Sequence, residues 1–68
     1  MKVVVKTEIG EKIKEMRSKK NINQTQLASM AKISRSFMCD IEVGRALPSL
    51  KTLEKIAQAL EVDIKDFL

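Results

Sequence analysis

The stretch that decides the fold is residues 23–42, which read NQTQLASMAKISRSFMCDIE. Its apolar residues recur at spacings of three and four, which is the period of an α-helix that is buried on one side. Asn23 and Ser34 each precede such a run, and both residue types favour the N-cap of a helix. The stretch therefore predicts two short helices that are joined by a tight turn at Lys32 and Ile33.

Each of these two helices is expected to bury one side. Gln26 follows Asn23 by three residues, which is the spacing of a capping box. Gly44 is expected to end the later helix, because glycine adopts the left-handed conformation of helix ends without strain. The residues expected to face inward are Leu27, Met30 and Ala31 in the earlier helix and Phe37, Met38 and Ile41 in the later one.

Outside this stretch the sequence predicts three more helices. The first runs from about Glu8 to Lys20, with Thr7 as its N-cap. A fourth follows Ser49 and carries a wide apolar stripe, and a short fifth follows Asp63. The stripe consists of Leu50, Leu53, Ile56, Ala57 and Leu60. Five helices with short connections predict a compact all-α domain.

The outer face of the third helix is the candidate functional surface. Arg35, Ser36, Cys39 and Asp40 share it, because residues three and four apart are neighbours on a helix. Arg35 can bridge the two acceptors of guanine, a contact that discriminates between bases by about 1–3 kcal/mol. Asp40 can accept from cytosine, repel phosphate or orient Arg35. Together with Ser34 at the cap, this face predicts base reading in the major groove of DNA, and a merely solvated face is the alternative.

Two helix starts and a basic loop flank this face. Free backbone N–H groups at a helix start can hold a phosphate. The candidate phosphate ligands are Gln24 and Thr25 at the second helix and Arg45, Ser49 and Lys51 around the fourth. The net charge of +4 is too small to indicate DNA by itself. The basic residues, however, concentrate in the first third of the chain and around the third helix, which favours one basic face.

These residues together resemble the Cro/CI-type (XRE-like) helix-turn-helix transcriptional regulators. The resemblance extends from Ile9 to Leu68. It lies in IGEKIK (9–14) with Arg17, QTQLA (24–28), ISRS (33–36), IEVG (41–44), PSL (48–50) and LEKIAQAL (53–60). It implies a lambda-repressor-like fold of five helices and a regulator that binds double-stranded DNA, by default a repressor, with activation as the alternative.

The resemblance also implies roles for single residues. Gln24 matches a glutamine that touches phosphate, and the outer face of the third helix matches positions that read bases. Arg17 and Glu42 match an arginine and a glutamate that form a partly buried structural ion pair. Lys32 departs from the older phage pattern, which has glycine in the turn, so the turn must accept a side chain there.

A homodimer on a pseudo-palindromic operator is expected, because a domain this small is only marginally stable alone. The short terminal helix carries Ile64, Phe67 and Leu68, which we assign to the dimer contact, with the domain's own core as the alternative. The domain is expected over residues 8–68, after an N-terminal arm over residues 1–7. The valines of the arm favour strand, and it is either a frayed end, a strand across a dimer or an arm along the DNA.

The residue inventory argues against an enzyme, because there is no histidine, no glycine-rich phosphate loop and no carboxylate cluster on an apolar face. The single cysteine excludes an internal disulfide and disfavours zinc, so we expect no metal and no cofactor. We also expect no membrane contact and a cytoplasmic location, which suits a reduced thiol. Cys39 is interpreted as a small residue that fits the groove, with a redox switch as the alternative.

Two rival functions stay open at this point. One is an antitoxin or another protein-interaction module with the same fold. The other is the DNA-binding fragment of a longer regulator. The sequence gives no indication of a protein antagonist.

Overall fold

A computed structural model of the chain describes residues 5–67. Within this range the chain forms four α-helices, α1 (Val5–Lys19), α2 (Gln24–Met30), α3 (Arg35–Glu42) and α4 (Leu50–Leu60), and a 3₁₀-helix at Ile64–Phe67. Residues 5–67 contain no strand. The predicted all-α class is therefore confirmed, and the predicted fifth α-helix is in fact one turn of 3₁₀-helix.

The two ends of the chain differ from expectation. α1 begins at Val5, so Thr7 lies inside the helix and is not its N-cap. The strand prediction is wrong at Val5, and residues 1–4 and 68 lie outside the described residues. At the other end, the N–H of Asp66 donates to the carbonyl of Asp63 at 2.9 Å, an i to i+3 bond that is typical of a 3₁₀ turn. The division into an arm and a domain stays a prediction.

The core lies between all five elements. Its fully buried large side chains are Ile13, Leu27, Met38, Ile41, Ile56, Leu60 and Phe67. The 3₁₀-helix contacts both α1 and α4, and this brings Phe67 inside the domain. Assigning Phe67 to a dimer contact is therefore wrong, because a side chain that is 1% exposed offers no surface to a second copy. Ile64 is half-buried against the same core.

Two residues that were expected in the core lie at the surface. Met30 is 50% exposed and Leu50 is 63% exposed. Met30 is the last residue of α2 and Leu50 is the first of α4, so each lies at a helix end, outside the buried middle of its stripe. Phe37 is half-buried and packs against the core, while Ile41 is fully buried, so α3 keeps its predicted orientation.

All four α-helices end in a Schellman motif. The residue that ends each helix in the left-handed conformation is Asn21 (φ 58°), Lys32 (60°), Gly44 (86°) or Glu61 (60°). The next residue donates its N–H to the carbonyl five positions earlier, from Ile22 to Arg17, Ile33 to Ala28, Arg45 to Asp40 and Val62 to Ala57. Three of these donors are apolar and pack on the core. After α3 the donor is Arg45, which is exposed.

Gly10 sets the distance between α1 and α3. A Cβ atom at this position would press against the carbonyl oxygen of Ile41 and would lie 2.6 Å from that of Glu42. Both are backbone atoms, which cannot swing aside as a flexible side chain can. The two helices therefore approach each other through backbone, and only glycine leaves room for this contact.

Candidate nucleic-acid interface

α3 is held by its inner side and presents its outer side to solvent. Its N-cap is Ser34, whose Oγ accepts a hydrogen bond from the N–H of Phe37 at 3.0 Å, as the sequence predicted. Met38 and Ile41 are completely buried. Arg35 and Ser36 are exposed on the opposite side, and Cys39 and Asp40 are half-buried beside them. The face that was predicted to read bases is therefore accessible along the first turn of α3 and narrows toward its end.

The start of α2 has the predicted capping box. Asn23 Oδ1 accepts from the N–H of Gln26 at 2.7 Å, and Gln26 Oε1 accepts from the N–H of Asn23 at 2.8 Å. Thr25 is exposed, whereas Gln24 is half-buried and donates from Nε2 to Glu42 Oε1 at 3.0 Å. An amide nitrogen carries two hydrogens, so Gln24 keeps one donor for a phosphate oxygen while Glu42 holds the other.

Arg17 and Glu42 form a two-point ion pair. Arg17 Nε donates to Glu42 Oε2 at 2.8 Å, and Nη2 donates to Oε1 at 3.0 Å. The side chains are 14% and 2% exposed. Arg17 also donates from Nη1 to the carbonyl of Ile22 at 3.0 Å, so the pair links α1, the following turn and the end of α3.

Sequence reasoning missed the bond between Gln24 and Glu42. The two residues are 18 positions apart, and neither helical period nor capping relates them. The sequence alone carries no signal for this bond, which becomes evident only when α2 and α3 are packed together. Through this bond the ion pair also orients a candidate phosphate ligand.

Asp40 and Arg45 form a second ion pair at the outer side of α3. Arg45 Nε and Nη2 both donate to Asp40 Oδ1, at 3.1 and 3.0 Å. The side chains are 69% exposed for Arg45 and 41% exposed for Asp40. The suggestion that Asp40 orients Arg35 is not what the structure records, because the left-handed turn at Gly44 folds Arg45 back over Asp40 instead.

The start of α4 supplies backbone donors and a lysine. Ser49 Oγ accepts from the N–H of Thr52 and donates to Thr52 Oγ1, both at 3.1 Å. Ser49 therefore acts as the cap that the sequence predicted, and its hydroxyl proton is already used. The N–H groups of Leu50 and Lys51 point out of the first turn, where a helix has no internal acceptors for them. Lys51 itself is exposed.

Cys39 is a free thiol and is half-buried in α3. No helix within residues 5–67 has the length and apolar content that crossing a bilayer requires. In the same range, every buried side-chain nitrogen or oxygen of a residue that is not exposed has a hydrogen-bond partner.

Comparison with known proteins gives consistent similarities in sequence. The sequence model of a family described as "Helix-turn-helix domain" matches residues 10–68. The immunity repressor protein of Bacillus phage phi105 is 45% identical over 56 residues, which are 82% of this chain and 39% of that protein. Control protein C.BamHI of Bacillus amyloliquefaciens is 42% identical over 60 residues, which are 87% of this chain and 74% of that protein.

The fold has solved counterparts as well. The crystal structure of the restriction-modification controller protein C.AhdI from Aeromonas hydrophila matches with a TM-score of 0.93 at 26% sequence identity. The match covers 97% of this chain and 100% of that chain. In contrast, the chain spans well under half of the phage repressor, at 39% of its length.

Proposed function

The chain belongs to the helix-turn-helix domain family, as its resemblance to Cro/CI-type regulators implied, and from this premise we propose that it regulates transcription by binding double-stranded DNA in a sequence-specific way. The observation that carries the proposal is the division of α3 into two sides. Met38, Ile41 and Glu42 lock the inner side, while Arg35 and Ser36 are exposed on the outer side. A helix held in this way can enter the major groove without any rearrangement of the core.

Each group of candidate residues has its own task in this proposal. Arg35 donates to the two major-groove acceptors of a guanine, and Ser36 and Cys39 are small enough to let the helix come close. Gln24 and Lys51 hold backbone phosphates at the starts of α2 and α4, together with the free N–H groups there. Arg17 and Glu42 act as scaffold, because their paired side chains are only 14% and 2% exposed and join α1 to the end of α3.

The proposal includes a homodimer on a pseudo-palindromic operator, with repression as the output. The name of the phage repressor supports repression. The proposal also keeps the cytoplasmic location, which suits a reduced thiol. Two copies would place their α3 helices in successive major grooves, about 34 Å apart. The small size of the domain supports association, because a core this small is only marginally stable alone. Phe67 is excluded from the contact by its burial, whereas Ile64 remains a candidate at the edge of the core.

Selection of duplexes from a random DNA pool tests the proposal directly. We expect one motif of two symmetric halves to be enriched, and we expect its affinity to fall with salt by a slope of about 0.9 for each phosphate neutralised. Arg35→Ala should relax base preference at one position, and Lys51→Ala should weaken all duplexes alike. No enriched motif, combined with tight binding of a protein partner, would instead favour the protein-interaction function.

A further inference from the structure

We propose that Asp40 and Arg45 read DNA as one unit, in which Arg45 offsets the charge of Asp40 while Asp40 accepts a hydrogen bond from the amino group of a cytosine. The inference rests on the proposed function and names the base class that the second turn of α3 selects. Asp40 alone would be a poor reader, because its carboxylate is repelled by the phosphates on either side of the groove. The structure supplies a partner that removes this obstacle.

The geometry leaves one carboxylate oxygen for the base. Both contacts from Arg45 go to the same atom, Asp40 Oδ1, at 3.1 and 3.0 Å. An ionised carboxylate has two oxygens, each with two lone pairs, so Oδ2 is an acceptor that Arg45 does not use. In the major groove, cytosine presents an N4 amino donor, and aspartate is one of the side chains that accept from it.

The electrostatics favour a pair over either residue alone. A guanidinium 3.0 Å from the carboxylate compensates its charge at a distance well inside the Debye length of about 8 Å at physiological salt. A phosphate that lies farther from Asp40 than Arg45 does therefore interacts with a paired dipole rather than with a net negative charge. The contact adds little to folding, because exposed ion pairs contribute little stability.

The backbone of the helix end holds Arg45 close to Asp40. The N–H of Arg45 donates to the carbonyl of Asp40 at 2.8 Å, so backbone and side chain of Arg45 both return to the same residue. At the other three helix ends the equivalent position holds Ile22, Ile33 or Val62, which pack on the core. Only beside the outer face of α3 does this position carry an exposed cation, so packing does not account for it.

A double-mutant cycle tests the unit. The full chain, Asp40→Ala, Arg45→Ala and the double variant are titrated with the duplex that the random pool selects and with duplexes that change each base pair in turn. We expect Arg45→Ala to weaken binding at least about fivefold more in the wild-type background than in the Asp40→Ala background, because only the former contains an uncompensated carboxylate. We expect Asp40→Ala to lower the preference for one cytosine about tenfold.

Lys51 provides the matched control. Lys51→Ala also removes one exposed positive charge, but Lys51 is not paired with Asp40, so its effect should be the same in both backgrounds within about twofold. All variants change exposed or half-buried side chains, and thermal unfolding checks that they are folded.

Three results would overturn the inference. Equal effects of Arg45→Ala in both backgrounds would show that the two residues act separately. An unchanged base preference in Asp40→Ala would show that Asp40 reads no base. If the wild-type chain selects no duplex at all, the proposed function fails and the inference fails with it, a result that differs from both of the others.

Discussion

Within residues 5–67, two arginine–carboxylate pairs have their carboxylates two residues apart on α3 and differ in burial. Glu42 and Arg17 are 2% and 14% exposed, whereas Asp40 and Arg45 are 41% and 69% exposed. The charged groups and the N–O distances are nearly the same, at 2.8 and 3.0 Å. Burial therefore decides what each pair does, because water can replace the partner of an exposed charge but not that of a buried one. One short helix thus carries a buried carboxylate and an exposed one, to which we assign a structural and a functional role in the proposed function.

The largest effect is expected when one partner of the buried pair is removed. Glu42→Ala leaves the guanidinium of Arg17 without its partner, and also removes the acceptor of Gln24. We expect a loss of about 3–5 kcal/mol in the free energy of unfolding, measured by urea titration. Asp40→Ala is the matched control and should cost less than about 1 kcal/mol. Similar losses in the two variants would contradict the role assigned to burial.

The next largest effect concerns the backbone contact that brings the buried pair together. In Gly10→Ala the new methyl group meets the carbonyls of Ile41 and Glu42, so α1 and α3 must separate. We expect a loss of about 1–3 kcal/mol, which calorimetry can measure as a lowered Tm. Ser18→Ala, at an exposed position of the same helix, should leave Tm nearly unchanged. A Gly10→Ala variant as stable as the wild type would show that the helices can yield.

The loss in the free energy of unfolding expected for Gln24→Ala lies between those expected for the buried pair and for the exposed pair. It removes one hydrogen bond to the buried carboxylate of Glu42 but leaves the ion pair itself intact. A bond to a charged group contributes about 1.5–3 kcal/mol, and the partial exposure of Gln24 places the expected loss at the low end. Urea titration gives this loss, with Thr25→Ala as the exposed neighbour that should not produce it.

The smallest effect on stability is expected for the exposed pair. Arg45→Ala should change the free energy of unfolding by less than about 1 kcal/mol, because both side chains of the pair remain hydrated without each other. The same urea titration measures it. Arg17→Ala should cause a larger loss, since that change leaves the buried carboxyl group of Glu42 without its guanidinium partner. A large loss for Arg45→Ala would mean that the outer pair is structural too, and the distinction between the two sides of α3 would fail.

Local features of the fold were predictable, because they depend on residues within one turn. Asn23, Ser34 and Ser49 cap the three helices that follow them, as their side-chain chemistry predicts. The period of the apolar residues also gave the correct inner side of α3. At the helix ends the period was less informative, because it does not reveal whether Met30 and Leu50 are still covered by another part of the fold, and both are exposed.

The contacts that define the candidate site required the folded chain. The hydrogen bond from Gln24 to Glu42 joins two helices, and the spacing of the two residues does not predict it. From the sequence alone, Phe67 fits either a core position or a contact with a second copy. The structure decides between them, because the terminal 3₁₀-helix packs on α1 and α4. Arg45 pairs with Asp40 because the left-handed turn at Gly44 brings the two side chains together, and the spacing alone does not predict this contact.

The glycine contact between α1 and α3 has a consequence for the duplex. Because no side chain separates the two backbones at Gly10, α3 cannot readily shift or tilt relative to α1. In the proposed complex, a misfit between the curvature of the protein and that of the groove is then accommodated by the DNA. We expect flexible pyrimidine–purine steps next to the contacted bases to improve affinity although no side chain touches them. The rigidity of one helix crossing would in this way become a preference for bendable sequence.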